Sequence, residues 1–209
     1  MPKEARYYEV DSDYLGGVVG WEFVNFHTVQ PGWRGVTPRV GWPDGYLQLP
    51  RGSWRLAELA ETPRFLIGKK HGRPPRDLES MDGVFLVSPE MKAVLEAVDS
   101  DACEFVRCET FLPSGRPARE TWLCAITRAF VGAVDEQASV NLRIGRDIAG
   151  QPHYSMGADT KLHFVREIVG NARLFHIAEM AIYVFCDQSV KDACKAAGLK
   201  GIRFRSCSK

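Results

Sequence analysis

The chain has no excess of charge of either sign. Its 209 residues carry 27 lysines and arginines against 26 aspartates and glutamates, a formal charge of +1, so no global field selects a polyanion or a polycation as partner. Long apolar runs are also missing. The best, Met180-Ala-Ile-Tyr-Val-Phe-Cys186, stops far short of the roughly eighteen residues that a membrane span requires. The opening MPKEARYYEV lacks the basic start and apolar stretch of a secretory signal. Six cysteines are too sparse for a disulfide scaffold, and several fall in predicted strands or on a helix's apolar face, which fits reduced thiols in a cytosol. A cytoplasmic protein that makes no use of a membrane is expected.

The usual signs of site chemistry are scarce as well. His27, His71, His153, His163 and His176 never fall at metal-ligand spacing, and Cys103 and Cys108, five positions apart in a predicted strand, point to opposite faces. No metal and no cofactor are expected. The segment from Gly68 to Arg76 mixes basic residues with Gly and Pro and reads as an exposed loop; it lacks the Gly-x4-Gly-Lys-Ser/Thr spacing of a phosphate cradle. The best nucleophile–base pair is Cys186, just before a predicted helix, with His176 on a neighbouring predicted strand. A cysteine-dependent hydrolase or transferase would need Cys186 accessible in a cleft beside His176. Asp135-Glu136 reads as local hydrogen bonding or capping at a turn, because adjacent side chains diverge. Arg203 and Arg205 near the C-terminus alternate with Ile202 and Phe204 and read as the solvent face of a strand, so neither DNA nor RNA is an expected partner. A small-molecule or nucleic-acid binding module is the remaining alternative, its sign being a concave pocket or a contiguous basic face.

What is present is ordinary globular composition, 45% apolar and 25% charged, enough for a substantial core. Tyr7 to Val10 suits a first strand. Residues 11–55 are dense in Gly, Pro and Trp, with Trp21, Trp33, Trp42 and Trp54 among turn-forming residues. This stretch has two readings, first core and structured loop, second partly exposed aromatic anchors at a partner surface, the candidates then being Trp33, Arg34, Trp42 and Tyr46. Residues 55–61 suit a short helix.

The most informative feature is a repeat. Gly83 to Cys108 overlays Ile182 to Cys207 without gaps, Phe105 and Phe204 lying 99 positions apart. In the first copy Val84 to Val87 is an apolar run, Ser88 a helix N-cap and Pro89 the first helical position, with Glu90 in the first turn. Met91, Val94, Leu95 and Val98 then form one apolar stripe. In the second, Tyr183 to Cys186 is the strand and Asp187 the cap; Val190, Ala193, Cys194 and Ala197 form the stripe, and Gly198 the stop. Each copy closes on an alternating strand, and each connection is long enough for a parallel crossover, expected to be right-handed. The copies would either pair into one sheet or present an edge for self-association, which leaves a homodimer open.

Between the copies, Glu104 to Leu112 and Thr121 to Arg128 flank Pro-Ser-Gly-Arg-Pro at 113–117, the pattern of an antiparallel hairpin. Val140, Leu142 and Ile144 alternate, as do Leu162 and Phe164, and Leu174 to Ile177 is a further strand. The order predicts an α+β fold: a mixed, mostly antiparallel sheet with few helices, built around the two strand-helix-strand repeats at about 83–108 and 182–207. An organisation into an irregular Trp/Gly/Pro-rich region at 1–80 and an α+β domain at 81–209 is expected.

Four pieces then carry a family resemblance: Tyr7-Tyr8; Phe85-Leu86-Val87-Ser88 leading a helix; Trp122 to Ser139, ending in Val134-Asp135-Glu136-Gln137-Ala138-Ser139; and Leu199-Lys200-Gly201-Ile202-Arg203-Phe204. In order and spacing they resemble the eleventh family of immunity proteins of bacterial polymorphic-toxin and contact-dependent competition systems. The resemblance covers about 80–209 and implies a cytosolic antidote, not an enzyme, that binds and blocks a cognate toxin or secreted effector, as in type VI secretion and interbacterial competition. It carries over no contact residues. The neutral charge disfavours a nuclease as the target.

Overall fold

A computed structural model of the protein describes residues 6–29, 59–68, 72–81, 84–146, 150, 152–180 and 182–208. Along the chain the elements are β1 (Tyr7–Ser12), β2 (Trp21–Phe23), α1 (Phe26–Val29), β3 (Arg64–Ile67), β4 (Leu78–Met81), β5 (Val84–Val87), α2 (Pro89–Asp99), β6 (Cys103–Phe111) and β7 (Thr121–Ile126). They continue with β8 (Ala129–Phe130), β9 (Val140–Arg146), β10 (Pro152–Lys161), α3 (Arg166–Val169), β11 (Leu174–Ile177), β12 (Val184–Asp187), α4 (Gln188–Ala196) and β13 (Ile202–Ser206). Of the predicted helix at 55–61, residues 59–61 are not helical, and the rest lies outside the described residues.

Two sheets and a ribbon result. The first sheet runs β2-β3-β6-β7-β5-β4, the second β13-β1-β12-β11-β8, and β9 and β10 pair alone. Pairing is antiparallel except for β3 with β6 and β8 with β11, and the α+β expectation holds.

Each repeat is a parallel crossover split by a third strand. β7 lies antiparallel between β5 and β6, and β1 lies antiparallel between β12 and β13. The registers correspond: Cys124 faces Phe85 and Phe105, and Val10 faces Val184 and Phe204. The first copy thus takes its middle strand from the chain just downstream, the second from the N-terminus. The strand pattern at the centre of the second sheet depends on residues far from it in sequence, which no local reading reveals.

The caps form as their chemistry requires. Ser88 Oγ accepts from the Met91 N–H at 3.1 Å, and Asp187 Oδ1 accepts from Ser189 and Val190 at 2.9 and 3.2 Å, each worth about 1 kcal/mol. Gly198 ends α4 with φ +68°, a left-handed conformation natural to glycine. The expected stripe residues Met91, Leu95, Val190 and Cys194 are buried in one cluster with Phe85, Val87, Cys124, Tyr8, Val10 and Cys186. Equivalent lysines also stack on equivalent aromatics: Lys92 Nζ is 4.9 Å from the centre of the Trp122 ring and Lys191 Nζ 3.7 Å from that of Tyr8.

The copies do not share a sheet; they meet through their helices, with Cys194 Sγ 3.9 Å from Met91 Sδ, while β13 of the second copy stands at the edge of its sheet. Reciprocal joints flank this contact. The residue after the α4 turn, Lys200, donates its N–H to Asp77 Oδ2 at 2.6 Å and accepts from the Asp77 N–H at 3.1 Å. At the other joint Asp99, the last residue of α2, accepts from the Arg173 N–H at 3.1 Å and from the Arg128 guanidinium.

The opposite face of each sheet carries its own core. Phe65, Leu86, Leu123 and Ala125 are buried under the first sheet; Tyr7, Phe164, Phe175 and Phe185 form an aromatic cluster under the second, roofed by Tyr154 of β10. Alternation along each strand creates these three layers: Val87 faces the shared core and Leu86 the outer one.

Candidate partner-binding site

β2 and β3 stand at one edge of the first sheet, and the chain between them contains the later part of the Trp-rich stretch, Trp21 itself lying in β2. The candidate anchors Trp33, Arg34, Trp42 and Tyr46 lie outside the described residues. Its two ends are tied together. The Ala60 N–H donates to the Val29 carbonyl at 2.7 Å, and Val29 is fully buried beside Phe65.

Asn25 makes the second tie. Its amide donates from Nδ2 to the Thr62 carbonyl at 2.9 Å and accepts at Oδ1 from the Arg64 N–H at 2.8 Å, so one side chain satisfies both poles of the returning strand. Buried at 5% exposure, it leaves unpaired backbone groups if removed. Hydrogen bonds from Thr28 and then Asn25 hold the Glu61 carboxyl below its ordinary range. A lone asparagine has no sequence signal, and the clamp was not foreseen.

Beside this neck is an open groove of about 900 Å³. Thr62 and Arg64 line one side, Arg107 to Phe111 of β6 the floor, and Gly115, Pro117, Ala118 and Glu120 of the β6–β7 hairpin the other. Its charges are balanced, with Arg107 Nε 3.3 Å from Glu120 Oε1 and Arg64 Nη2 3.7 Å from Glu61 Oε2. Both pairs are exposed, and pairs of that kind contribute little to stability and remain available for exchange with a partner. The Cys108 thiol is buried, and burial pushes it up to about 12, so it supplies no nucleophile at neutral pH.

The other sequence candidates fall as follows. Cys186 is fully buried in the shared core, and burial, then the Asp187 charge, raises its thiol well above the ordinary value. His176 is buried too, with Nδ1 2.9 Å from the Tyr183 carbonyl oxygen, and burial lowers it to about 4. The accessible cysteine–histidine pair required for hydrolase or transferase chemistry is therefore absent, because the side of β12 that places Cys186 beside a helix start also packs it under that helix. All six cysteines are free, and Cys103 and Cys108 face different cores as expected. Among the described residues no group of three or more His, Cys, Asp or Glu is arranged to hold a metal.

Asp135 makes a turn: its Oδ1 accepts from Gln137 and Ala138 at 2.9 and 3.0 Å, and the Ala138 and then the Gln137 N–H hold its carboxyl low. Glu136 accepts from the Tyr154 hydroxyl. Arg203 pairs with Asp11 at 3.1 Å and Arg205 with Glu9, so these arginines are neutralised by the strand beside them. The 68–76 segment departs from the exposed basic loop expected. Residues 69–71 lie outside the described residues, but Arg73 is mostly buried and forks onto the buried Glu79 at 2.5 and 2.9 Å. A charge-paired buried arginine is indistinguishable in sequence from a solvated one.

The family model of the immunity protein family (Imm11) matches residues 22–209. The chain belongs to that family. The match spans the neck, the groove, both repeats and the ribbon, and so confirms the resemblance carried by the Phe85–Ser88, Trp122–Ser139 and Leu199–Phe204 segments. Its member here places one strand from before the matched range, β1, at the heart of the second sheet. Among curated proteins no similar sequence was found. No helix among the described residues is long and apolar enough to cross a membrane.

Proposed function

We propose that this immunity-family chain is an antidote that binds a cognate bacterial toxin or secreted effector and neutralises it by occlusion, without catalysis, in the cytoplasm of a bacterium engaged in interbacterial competition. The contact surface is formed by the Trp-rich stretch, with Trp33, Arg34, Trp42 and Tyr46 as anchors, together with the groove at its neck. The observation that supports this is the clamp of Asn25 and Ala60. It fixes both ends of a stretch dense in the residue types that dominate interface energetics, beside an open groove whose ion pairs are exposed. Occlusion needs anchoring and complementarity only, which agrees with a Cys186 thiol that is buried and raised.

The test is capture of the tagged protein's partner from its source bacterium, followed by co-expression with the captured protein. One dominant, growth-inhibiting partner whose toxicity is relieved supports the reading. Trp33→Ala and Trp42→Ala are then expected to weaken binding by at least tenfold each. Unchanged toxin affinity in both would remove the stretch from the interface, and turnover of a substrate lost in Cys186→Ala would overturn the antidote reading itself.

A further inference from the structure

Among the described residues the β9–β10 ribbon pairs with no other named strand, so the outer edge of β9 is unpaired. A two-stranded ribbon alone is marginal in water; this one is supported because Tyr154, Leu142 and Met156 pack on the aromatic cluster under the second sheet. β9 pairs with β10 in regular register from Leu142 to Arg146, the register shifting between Leu142 and Val140, where Asn141 has φ +54°; among the described residues it pairs with no other strand. Apart from half-buried Leu142, every residue of β9 is exposed. Along it, Ile144 presents an apolar side chain at 53% exposure, next to polar Arg143, in the alternation that reads an added strand.

The charge on this edge is of one sign. Among the described residues Arg143 makes no ion pair, and Arg146 donates only to the Gly150 carbonyl, at 2.7 Å. Among the described residues Asp159 accepts from the Asn141 amide at 2.7 Å and Glu136 from the Tyr154 hydroxyl. Charges on a free edge ordinarily serve to block pairing. Two arginines block it selectively, since a second copy of β9 laid alongside brings like charges together, whereas an acidic strand gains from the same positions.

We propose that β9 is a strand-addition site for an extended acidic segment of the partner protein. Main-chain hydrogen bonds along 142–146 supply the affinity; Arg143 on one face and Arg146 on the other select the sign, and Ile144 supplies the apolar contact. The antidote reading supplies the identity of the partner, but the chemistry of the edge stands without it.

The experiment uses the full chain and two synthetic ten-residue peptides, one alternating valine with glutamate and one alternating valine with lysine. Backbone amide exchange of residues 142–146 is followed by NMR. The acidic peptide is expected to slow exchange there at least tenfold and the basic one to leave it unchanged; Arg143→Glu with Arg146→Glu is expected to reverse that preference. Arg143→Gln with Arg146→Gln, which removes charge without inverting it, is expected to abolish discrimination. Equal protection by both peptides, protection by neither, or concentration-dependent protection without peptide, meaning that a second copy occupies the edge, overturns the proposal. Edge protection by the acidic peptide in a protein that captures no toxin sinks the antidote reading and leaves the proposal standing.

Discussion

The two repeat copies share a backbone and differ in what lies outside it. Toward the shared core they are close equivalents: Ser88 and Asp187 cap, Met91 and Val190 pack, and Lys92 and Lys191 cover Trp122 and Tyr8. On the outer faces the likeness ends. The first copy carries the aliphatic core of Leu86 and Leu123, the Asn25 clamp and the groove. The second carries the aromatic cluster and the β9 ribbon. The difference teaches that the inner face keeps the copies together, while the outer faces carry what is particular to each.

The largest expected separation is in the outer cores. Leu86 and Phe185 are equivalent, but Phe185 sits among Phe164, Phe175 and Tyr183. In urea unfolding, Phe185→Ala is expected to cost about 4 kcal/mol and Leu86→Ala about 3. The reverse ranking would mean that the aromatic cluster repacks and the two outer cores are not distinct.

Acid should tell the copies apart next. Buried His176 holds its folded value near 4, while its counterpart in the first copy, Ser80, is exposed and does not titrate. Lowering the pH from the unfolded value of about 6.5 toward 4 protonates the unfolded chain only, so stability falls across that window and the loss saturates below it, at about 3 kcal/mol. Unfolding free energies measured from pH 7 to 4 are expected to show this slope in the wild type and to lose it in His176→Leu. A slope that persists in the variant assigns it elsewhere.

The joints offer a smaller contrast. Burial alone raises the Asp77 carboxyl, but the Lys200 N–H, the Ser88 hydroxyl and the Arg119 guanidinium outweigh it and hold it below the ordinary 3.8. Its contribution is present above that value and lost as pH falls through the lower folded one. Asp77→Ala is expected to cost about 2 kcal/mol at pH 7, more than Asp99→Ala, because it leaves more donors without an acceptor. Equal losses would show the two joints to be equivalent.

The smallest effect is chemical. Cys103 of the first copy is half-buried, whereas Cys186, Cys194 and Cys207 of the second are buried and their thiols raised. Limited alkylation of the native protein is expected to modify Cys103 first, read by peptide mass mapping; early modification of Cys186 would revive the cysteine-enzyme alternative.

Much of this was legible in the chain. Caps, helix stripes, the Pro-Ser-Gly-Arg-Pro hairpin and the repeat itself rest on contacts between near neighbours, whose chemistry is written in adjacent letters. The adjacency of Cys186 and His176 strands was legible too, and the apolar Val87 at the position equivalent to Cys186 pointed to packing there. Of the candidate site, the aromatic stretch stood out by composition, but the groove did not: it is made by three segments whose closeness depends on β3 joining β6 in parallel.

By itself, then, the sequence determined two strand-helix-strand units, their polarity and the faces of their helices, because side-chain periodicity and capping act within a few residues. Only the tertiary structure decided that residues 7–12 complete the second unit, that the copies meet helix to helix, that Asn25 closes the neck, and which arginines are spent in pairs and which remain open on β9. Those outcomes depend on which distant segments exclude water together, and burial of that kind is a property of the whole chain.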